Sequence, residues 1–237
     1  MKIVAVIPAR WASSRYPGKP LADVGGKPMI RRVYEQARAC EGIADVIIAT
    51  DDERILRAAQ AFGARAVMTD AACASGTDRV AQAVRDIEAG AVINIQGDQV
   101  VLDTAAIVAL AGELERGCPM ATVALAASGE DAADPNTVKV VLDREGYALY
   151  FSRAAIPYPR SPGQAPLLKH VGLYGFSRET LFRFTALPQS PLELTESLEQ
   201  LRALENGIRI KVVIAEGAFH EINTPQDHAR VVERCRD

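Results

Sequence analysis

A short segment near the N-terminus carries three cations among small residues. Arg10, Arg15 and Lys19 lie between Ile7 and Leu21, directly after the apolar run of residues 2–8. The guanidinium of arginine binds phosphate oxygens in pairs, and lysine binds them as a point charge. A buried β-branched run predicts a strand of a parallel sheet, whose carboxyl end is where α/β proteins bind ligands. The pattern therefore favours a nucleoside triphosphate site over its alternative, a solvated basic turn.

Two common nucleotide-binding motifs are absent from this sequence. No G-x-x-x-x-G-K-[ST] occurs, because Gly26-Lys27 has Leu21 at the place of the first glycine and Pro28 after the lysine. No G-x-G-x-x-G follows the first predicted strand, which argues against a dinucleotide site of the usual kind.

Other polar residues also stand at predicted strand ends and helix starts. Asp98 ends the run that begins at Val92, where a carboxylate can hold a divalent ion against phosphates, although a turn aspartate that caps a helix has the same pattern. Ser75 and Thr77 flank a glycine at a predicted helix start. Their hydroxyls can read a base edge or a sugar hydroxyl, and a plain N-cap explains them equally well.

Composition excludes several classes of function. The chain has 237 residues, a formal net charge of −3 and a pI near 5.7, so it carries no basic field for nucleic acid. No apolar run reaches membrane-spanning length. The four cysteines, at positions 40, 73, 118 and 235, show no C-x-x-C spacing, and with no signal segment they predict reduced thiols in a cytoplasmic protein. The three histidines lack the spacing of a zinc site.

Hydrophobic periodicity predicts the elements that position these residues. In the first half, strands alternate with helices, which indicates a parallel sheet. The predicted strands are residues 2–8, 44–50, 65–68 and 91–96, and the predicted helices are 29–40, 53–62 and 77–87. The second half contains extended segments at 136–143, 147–152 and 170–176, a long helix at 191–206, a strand at 208–215 and a helix after Pro225. The fold class is therefore α/β: a Rossmann-like, mixed, mainly parallel sheet flanked by helices, with a small antiparallel subdomain. The whole chain, 1–237, is expected to form a single domain, and the subdomain covers about 136–185.

Several segments together resemble one family nearly end to end. They are residues 7–10, 17–21, 75–79, 96–98, 135–141, 148–153, 170–176 and 198–202. The sequence is similar to the CMP-KDO synthetases, the 3-deoxy-manno-octulosonate cytidylyltransferases. The resemblance implies a CTP-dependent nucleotidyltransferase that transfers CMP to a sugar acid and releases pyrophosphate with Mg²⁺, usually as a homodimer. It also implies that the 136–185 subdomain binds the acceptor and forms the dimer.

The resemblance further implies a role for each matching residue. The catalytic residues are Lys19, Arg15 and Asp98, and the implied metal ligands are Asp98 and Asn223. CTP would contact Pro8, Ala9, Arg10, Arg15, Lys19, Ser75, Thr77, Arg79 and Gln96. The acceptor would contact Arg153, His170, Tyr174, Glu199 and Gln200. Without the resemblance, Glu199 and Gln200 are interpreted as exposed polar positions on an amphipathic helix.

Three departures from the family pattern fall inside its motifs. Gln99-Val100 replaces Glu-Pro, Cys73 lies two residues before the Ser-Gly-Thr segment where the family usually has histidine, and Asn223 replaces an aspartate that is the second metal ligand. The changes at 99 and 223 remove negative charge and so predict a more anionic acceptor, such as phosphonoformate. The alternatives are KDO or its 8-amino analogue as acceptor, and an inactive CTP-binding regulatory protein.

Overall fold

The computed structural model describes residues 1–12, 16–161, 167–222 and 224–234. The strands are β1 (Ile3–Ala9), β2 (Ile43–Thr50), β3 (Arg65–Met68), β4 (Ala91–Asn94), β5 (Gln99–Val101), β6 (Met120–Ala126), β7 (Lys139–Leu142), β8 (Ala148–Ser152), β9 (Leu168–Ser177), β10 (Ile210–Ala215) and β11 (His220–Glu221). The helices are α1 (Met29–Arg38), α2 (Glu53–Ala61), α3 (Gly76–Ala83), α4 (Thr104–Glu115), α5 (Gly129–Ala133), α6 (Arg178–Ala186), α7 (Pro191–Glu196), α8 (Gln200–Glu205) and α9 (Pro225–Arg234). A 3-10 turn covers Lys19–Leu21.

The chain forms two compact units. The first comprises Met1–Val108 and Gly217–Asp237, and the second comprises Ala109–Glu216. The predicted 136–185 segment belongs to the second unit, and helix α4 contains one of the points at which the chain passes from one unit to the other.

The first unit is built on a parallel sheet with the strand order β4-β1-β2-β3. Residues Ile3–Ile7 of β1 are completely buried, because the strand is central and helices α1, α2 and α3 pack on the sheet. The carboxyl ends of β1 and β4 therefore lie side by side, with Val6 opposite Asn94. The loops that follow these two strands emerge at the same edge of the sheet.

A two-stranded antiparallel ladder in the same unit brings in the C-terminal part of the chain. Strand β11 pairs with β5, and the Ile222 N–H donates to the Asp98 carbonyl at 3.0 Å. Ile222 is fully buried in an apolar cluster with Val24, Met29 and Val100. Burial of this side chain fixes the segment that leads to position 223 beside Asp98.

The second unit has a mixed sheet. Strand β6 pairs with β10 in parallel and with β9 in antiparallel orientation. Strands β7 and β8 form an antiparallel hairpin, and β7 pairs with β9 at Lys139 and Lys169. Phe151, Phe176 and Phe184 are almost completely buried and form part of the core of this unit.

The predicted fold class is confirmed: a mixed, mainly parallel sheet flanked by helices, with a small antiparallel part. The single helix predicted over 191–206 is wrong, because the chain breaks between α7 and α8 at Ser197, whose φ is +52°. This left-handed residue ends α7, and nothing in the helical periodicity of the sequence marks it. Within the described ranges, no helix is both long and apolar enough to cross a bilayer.

Candidate active site

A polar cavity of about 260 Å³ opens at the carboxyl edge of the first unit's sheet. It is lined by residues of three segments: Pro8, Ala9, Arg10, Lys19 and Pro20; Cys73, Ala74, Ser75, Gly76 and Arg79; and Gln96, Gly97 and Asp98. The segments follow β1, β3 and β4, so parallel strand order alone brings them together. Seven of the residues predicted to contact CTP, together with Asp98, thus share one cavity.

Lys19 and Asp98 form an ion pair in this cavity. The Lys19 Nζ lies 2.7 Å from Asp98 Oδ2 and donates to the Ile222 carbonyl at 3.0 Å. The two side chains are 14% and 24% exposed, which leaves both within reach of a ligand. The predicted phosphate cation and the predicted metal carboxylate therefore balance each other's charge.

Gly97 allows this close arrangement of strand ends. A Cβ at position 97 would lie 2.9 Å from the Pro8 carbonyl oxygen and 3.5 Å from the Ile30 side chain. Real Cβ atoms do not approach backbone oxygen this closely. Glycine at position 97 lets the segment that carries Asp98 pass directly against the end of β1.

Ser75 acts as the N-cap of α3. Its hydroxyl accepts from the Asp78 N–H at 3.1 Å, and Asp78 Oδ2 accepts from the Ser75 N–H at 2.9 Å. This is a complete capping box. The structural alternative weighed for Ser75 is therefore observed, and any contact with the cytidine adds to this role.

Thr77 belongs to a buried line of polar side chains beneath the cavity. The Asn94 amide donates to Thr77 Oγ1, and the Gln96 amide donates to Asn94 Oδ1, each at 3.4 Å. Asn94 and Thr77 are 0% and 2% exposed. Sequence reasoning missed Asn94, although a polar residue inside the apolar run of β4 was a visible signal. The line orients Gln96, which lines the cavity.

Arg79 connects the helix that begins beside the cavity to two neighbouring strand ends. Its guanidinium lies 2.7 Å from Asp51 Oδ2 and also donates to the Thr69 hydroxyl. Asp51 and Thr69 directly follow β2 and β3, so Arg79 ties α3 to both strand ends. Its charge is balanced by Asp51, and its predicted contact with CTP stays a prediction.

Two predicted residues, Arg15 and Asn223, lie outside the described residues. Arg10 is exposed at the rim of the cavity. The roles of these three side chains toward phosphate or metal stay predictions.

In the second unit, His170 and Tyr174 come together through a β-bulge. Both lie on β9, where four residues of regular strand span about 13 Å. Their ring centroids are only 5.3 Å apart, because the register of β9 against β6 shifts between Thr122 and Val123. The bulge builds an aromatic surface that also includes Phe151, at 5.0 Å from the His170 ring.

Thr122 is the hydrogen-bond partner of His170. The Thr122 hydroxyl lies 2.7 Å from the Leu173 carbonyl, 3.3 Å from the Val171 carbonyl and 2.9 Å from His170 Nε2. We assign its single proton to the shortest of these contacts, the Leu173 carbonyl, so that His170 Nε2–H donates to the hydroxyl oxygen. Burial lowers the pKa of His170 from its usual 6.5 to about 3, so the ring is neutral at physiological pH. Nδ1 then carries a lone pair and acts as an acceptor only.

Arg153 is engaged by backbone carbonyls. Its Nε donates to the Glu196 carbonyl at 2.8 Å, and its Nη1 to the Pro135 carbonyl at 3.0 Å. Its N–H donates to the Glu196 carboxylate at 3.0 Å. Arg153 thus caps the C-terminal end of α7, where a cation is favourable. Its predicted contact with the acceptor stays a prediction.

Lys139 was missed by sequence reasoning and is completely buried. Its Nζ donates to three backbone carbonyls, those of Asp134 at 2.9 Å, Thr137 at 2.7 Å and Arg153 at 2.6 Å. None of these partners is a carboxylate. Lys139 fixes the start of β7 to the end of β8 and adds a positive charge to the interior beside Arg153.

Gln200 is the first residue of α8, and Glu199 is its N-cap residue. Gln200 is only 3% exposed, so its interpretation as an exposed surface position is wrong. Its Nε2 is buried and has no hydrogen-bond acceptor among the described residues. Tyr174 lies close enough for the charge of Glu199 to add to burial, which raises the pKa of the tyrosine well above its usual 10. Tyr174 is therefore a hydrogen-bond donor at all physiological pH values.

Comparisons with known proteins agree in one family. The family model described as "Cytidylyltransferase" matches residues 4–210. A 3-deoxy-manno-octulosonate cytidylyltransferase of Syntrophobacter fumaroxidans is 49% identical, with 98% of this chain and 96% of the relative covered. An 8-amino-3,8-dideoxy-manno-octulosonate cytidylyltransferase of Shewanella pealeana is 46% identical, with 96% of each chain covered.

The solved structures give the same result. The structure of CMP:2-keto-3-deoxy-manno-octonic acid synthetase complexed with CTP is 44% identical and covers 100% of this chain and 99% of its own, with a TM-score of 0.96. A structure described as a glucose-1-phosphate thymidylyltransferase of Bacillus anthracis is 18% identical and covers 99% of this chain and 96% of its own. Its TM-score is 0.70, so it shares the fold alone. The chain therefore belongs to the cytidylyltransferase family, within the group of the CMP-KDO synthetases, and is a CTP-dependent nucleotidyltransferase.

Proposed function

We propose that this enzyme transfers CMP from CTP to a 3-deoxy-manno-octulosonate-type sugar acid. Two observations support the choice of acceptor: the likeness of the chain to the sugar-acid cytidylyltransferases named above, and the neutral His170, whose Nδ1 can accept a hydrogen bond from a ligand hydroxyl. A polyhydroxylated acid supplies such hydroxyls, whereas phosphonoformate has none beyond its acid groups. The relatives named above act, by their names, on sugar acids of this type. The phosphonoformate preference has no such support.

The reaction needs little covalent work from the protein. An acceptor oxygen attacks the α-phosphorus of CTP, the bond to the bridging oxygen breaks, and pyrophosphate leaves with the electron pair. Lys19, Arg10 and Arg15 would hold the phosphates in line and balance the charge of the leaving group. The acceptor loses its proton to solvent or a neighbouring base.

Mg²⁺ fits the donor set of the cavity. Asp98 supplies one carboxylate, and the phosphates and water would supply the remaining oxygens that this cation prefers. Asn223 would add a neutral oxygen. The ion would neutralise charge on the triphosphate, and Lys19, the ion-pair partner of Asp98, would contact the phosphates.

An acceptor panel tests this proposal. The purified protein is assayed for pyrophosphate release from CTP and Mg²⁺ with KDO, its 8-amino analogue and phosphonoformate. We expect turnover with one or both sugar acids and none with phosphonoformate. The reverse pattern overturns the proposed acceptor, and tight CTP binding without turnover on any acid supports an inactive CTP-binding protein instead. Asp98→Asn should abolish turnover, whereas the matched change Asp86→Asn, at an exposed position of the same unit, should not.

We also propose that the second unit forms the homodimer. An apolar groove of about 700 Å³ is lined by residues of β7, β8 and β10, and Leu149 and Ile214 within it are 61% and 57% exposed. Exposed apolar patches of this kind mark protein contacts. Leu149→Lys should shift the sedimentation profile from dimer to monomer, and Leu194→Lys, which is 60% exposed outside the groove, should leave it unchanged.

A further inference from the structure

The ring of Trp11 contacts two segments of the first unit. Gly18 lies so close to it that a Cβ there would be 3.0 Å from two ring atoms, and the Gly18 N–H donates to the Trp11 carbonyl at 3.1 Å. The guanidinium of Arg54 lies over the ring, with its Cζ 3.3 Å from the centroid. Trp11 thus links Gly18 to the start of helix α2.

Arg54 is itself fixed to the scaffold. Its Nη2 and Nε bond the two oxygens of Asp52 at 2.6 and 2.9 Å. Asp52 is the N-cap of α2 and accepts from the Arg54 N–H at 2.8 Å. The guanidinium lowers the pKa of Asp52 to about 2, so the pair stays ionised at physiological pH. Arg54 therefore presents a preset surface to the indole ring.

Two of the predicted triphosphate cations flank this contact. Arg10 directly precedes Trp11, and Lys19 directly follows Gly18. We propose that Trp11 and Arg54 are positioning residues that hold Arg10 and Lys19 in place for CTP, an inference that rests on the proposed CTP site. The stacking lowers the conformational entropy that CTP must remove on binding.

Fold-changes in CTP affinity follow from the size of this interaction. An exposed cation–π pair corresponds to about a 2- to 5-fold change in an equilibrium constant. Arg54→Ala should raise KM for CTP by about that factor, and Trp11→Leu, which also loses the ring contact with Gly18, by about 10-fold or more. KM for the acceptor and kcat should change little. Trp11→Phe keeps a ring and should recover most of the affinity.

The chain offers a matched control and a direct signal. Arg57 lies one turn later on α2, its side chain is 76% exposed and it pairs with Glu53 at 3.4 Å, so Arg57→Ala removes the same charge without touching Trp11. Trp11 is the single tryptophan of the sequence. Its fluorescence therefore reports on its own surroundings. Titration with CTP should change the emission of wild type and of Arg57→Ala with the same apparent affinity, and the emission of Arg54→Ala with a weaker apparent affinity.

The outcomes separate this inference from the proposed function. If wild type fails to bind CTP by calorimetry, the proposed function is wrong. If wild type binds CTP and Arg54→Ala and Trp11→Leu bind it equally well, the positioning role is overturned. An equal rise in KM for CTP and for the acceptor also overturns it, because that pattern reports general loss of structure.

Discussion

Replacement of His170 by glutamine should remove one source of acid sensitivity. The folded-state pKa of His170 is about 3, against about 6.5 in the unfolded chain. Because the folded value is the lower one, the unfolded state binds the extra proton between these two values. The free energy of unfolding is therefore fully retained above pH 6.5 and is lost as the pH falls toward 3.

The size of the effect follows from the shift. Each pH unit below 6.5 corresponds to about 1.4 kcal/mol, so the wild type should lose about 2 kcal/mol through His170 between pH 7.5 and pH 5. His170→Gln keeps an N–H that can reach Thr122 Oγ1, the partner of His170 Nε2 at 2.9 Å, and lacks the titrating group. Its unfolding free energy should fall by about 2 kcal/mol less over the same interval.

Urea denaturation at pH 7.5 and pH 5, followed by circular dichroism, measures this difference. Any constant loss caused by the substitution cancels, because only the change with pH is compared. Two curves that fall in parallel would refute the assignment of a buried, neutral imidazole. Proton NMR gives an independent reading: His170 should not titrate between pH 5 and 8, and a titration midpoint of its ring within that range would contradict the assignment.

Three further substitutions have expected outcomes. Gly97→Ala places a Cβ 2.9 Å from a β1 carbonyl oxygen and should cost about 1–3 kcal/mol in thermal melts and weaken CTP binding, whereas Gly129→Ala, with open space around it, should do neither. Lys139→Met leaves three carbonyls without their donor and should lower the unfolding free energy by about 2–4 kcal/mol in urea. Arg202→Met leaves the buried Glu193 carboxylate unpaired and should cost about 3–5 kcal/mol, part of which Glu193→Gln restores in the double variant.

Much of the first unit could be predicted from the sequence because its strands are buried on both faces. Strand β1 is an unbroken apolar run, strand β4 is apolar up to Asn94, and helices α1 and α2 begin at the predicted residues. The second unit was harder. Strand β6 was missed. The break at Ser197 depends on tertiary contacts, since Arg153, which directly follows β8, bonds the carbonyl of Glu196 from 43 positions earlier in the chain.

For the site, the sequence predicted which segments line the cavity better than it predicted which contacts their side chains make. The segments after β1 and β4 were found because ligands collect at the carboxyl ends of parallel strands, and the segment after β3 was found as a helix start with two hydroxyls. Ser75 and Arg79 were assigned to CTP, and the structure shows each also bonded to the protein, as a cap and in an ion pair. Such partners depend on residues distant in sequence, as with Asp51 for Arg79, and no local pattern shows them.

The charge of the predicted metal site also depends on residues that are distant in sequence. Gln99 replaces a family glutamate, which by sequence removes one negative charge, but its amide donates to the Glu221 carboxylate at 3.3 Å. A carboxylate therefore still lies beside position 99, supplied by β11 instead of β5. The local charge at position 99 thus depends on a residue more than 100 positions away in the sequence, which no local pattern shows. The expectation of a highly anionic acceptor was based on positions 99 and 223 alone, and the comparisons favour a sugar acid instead.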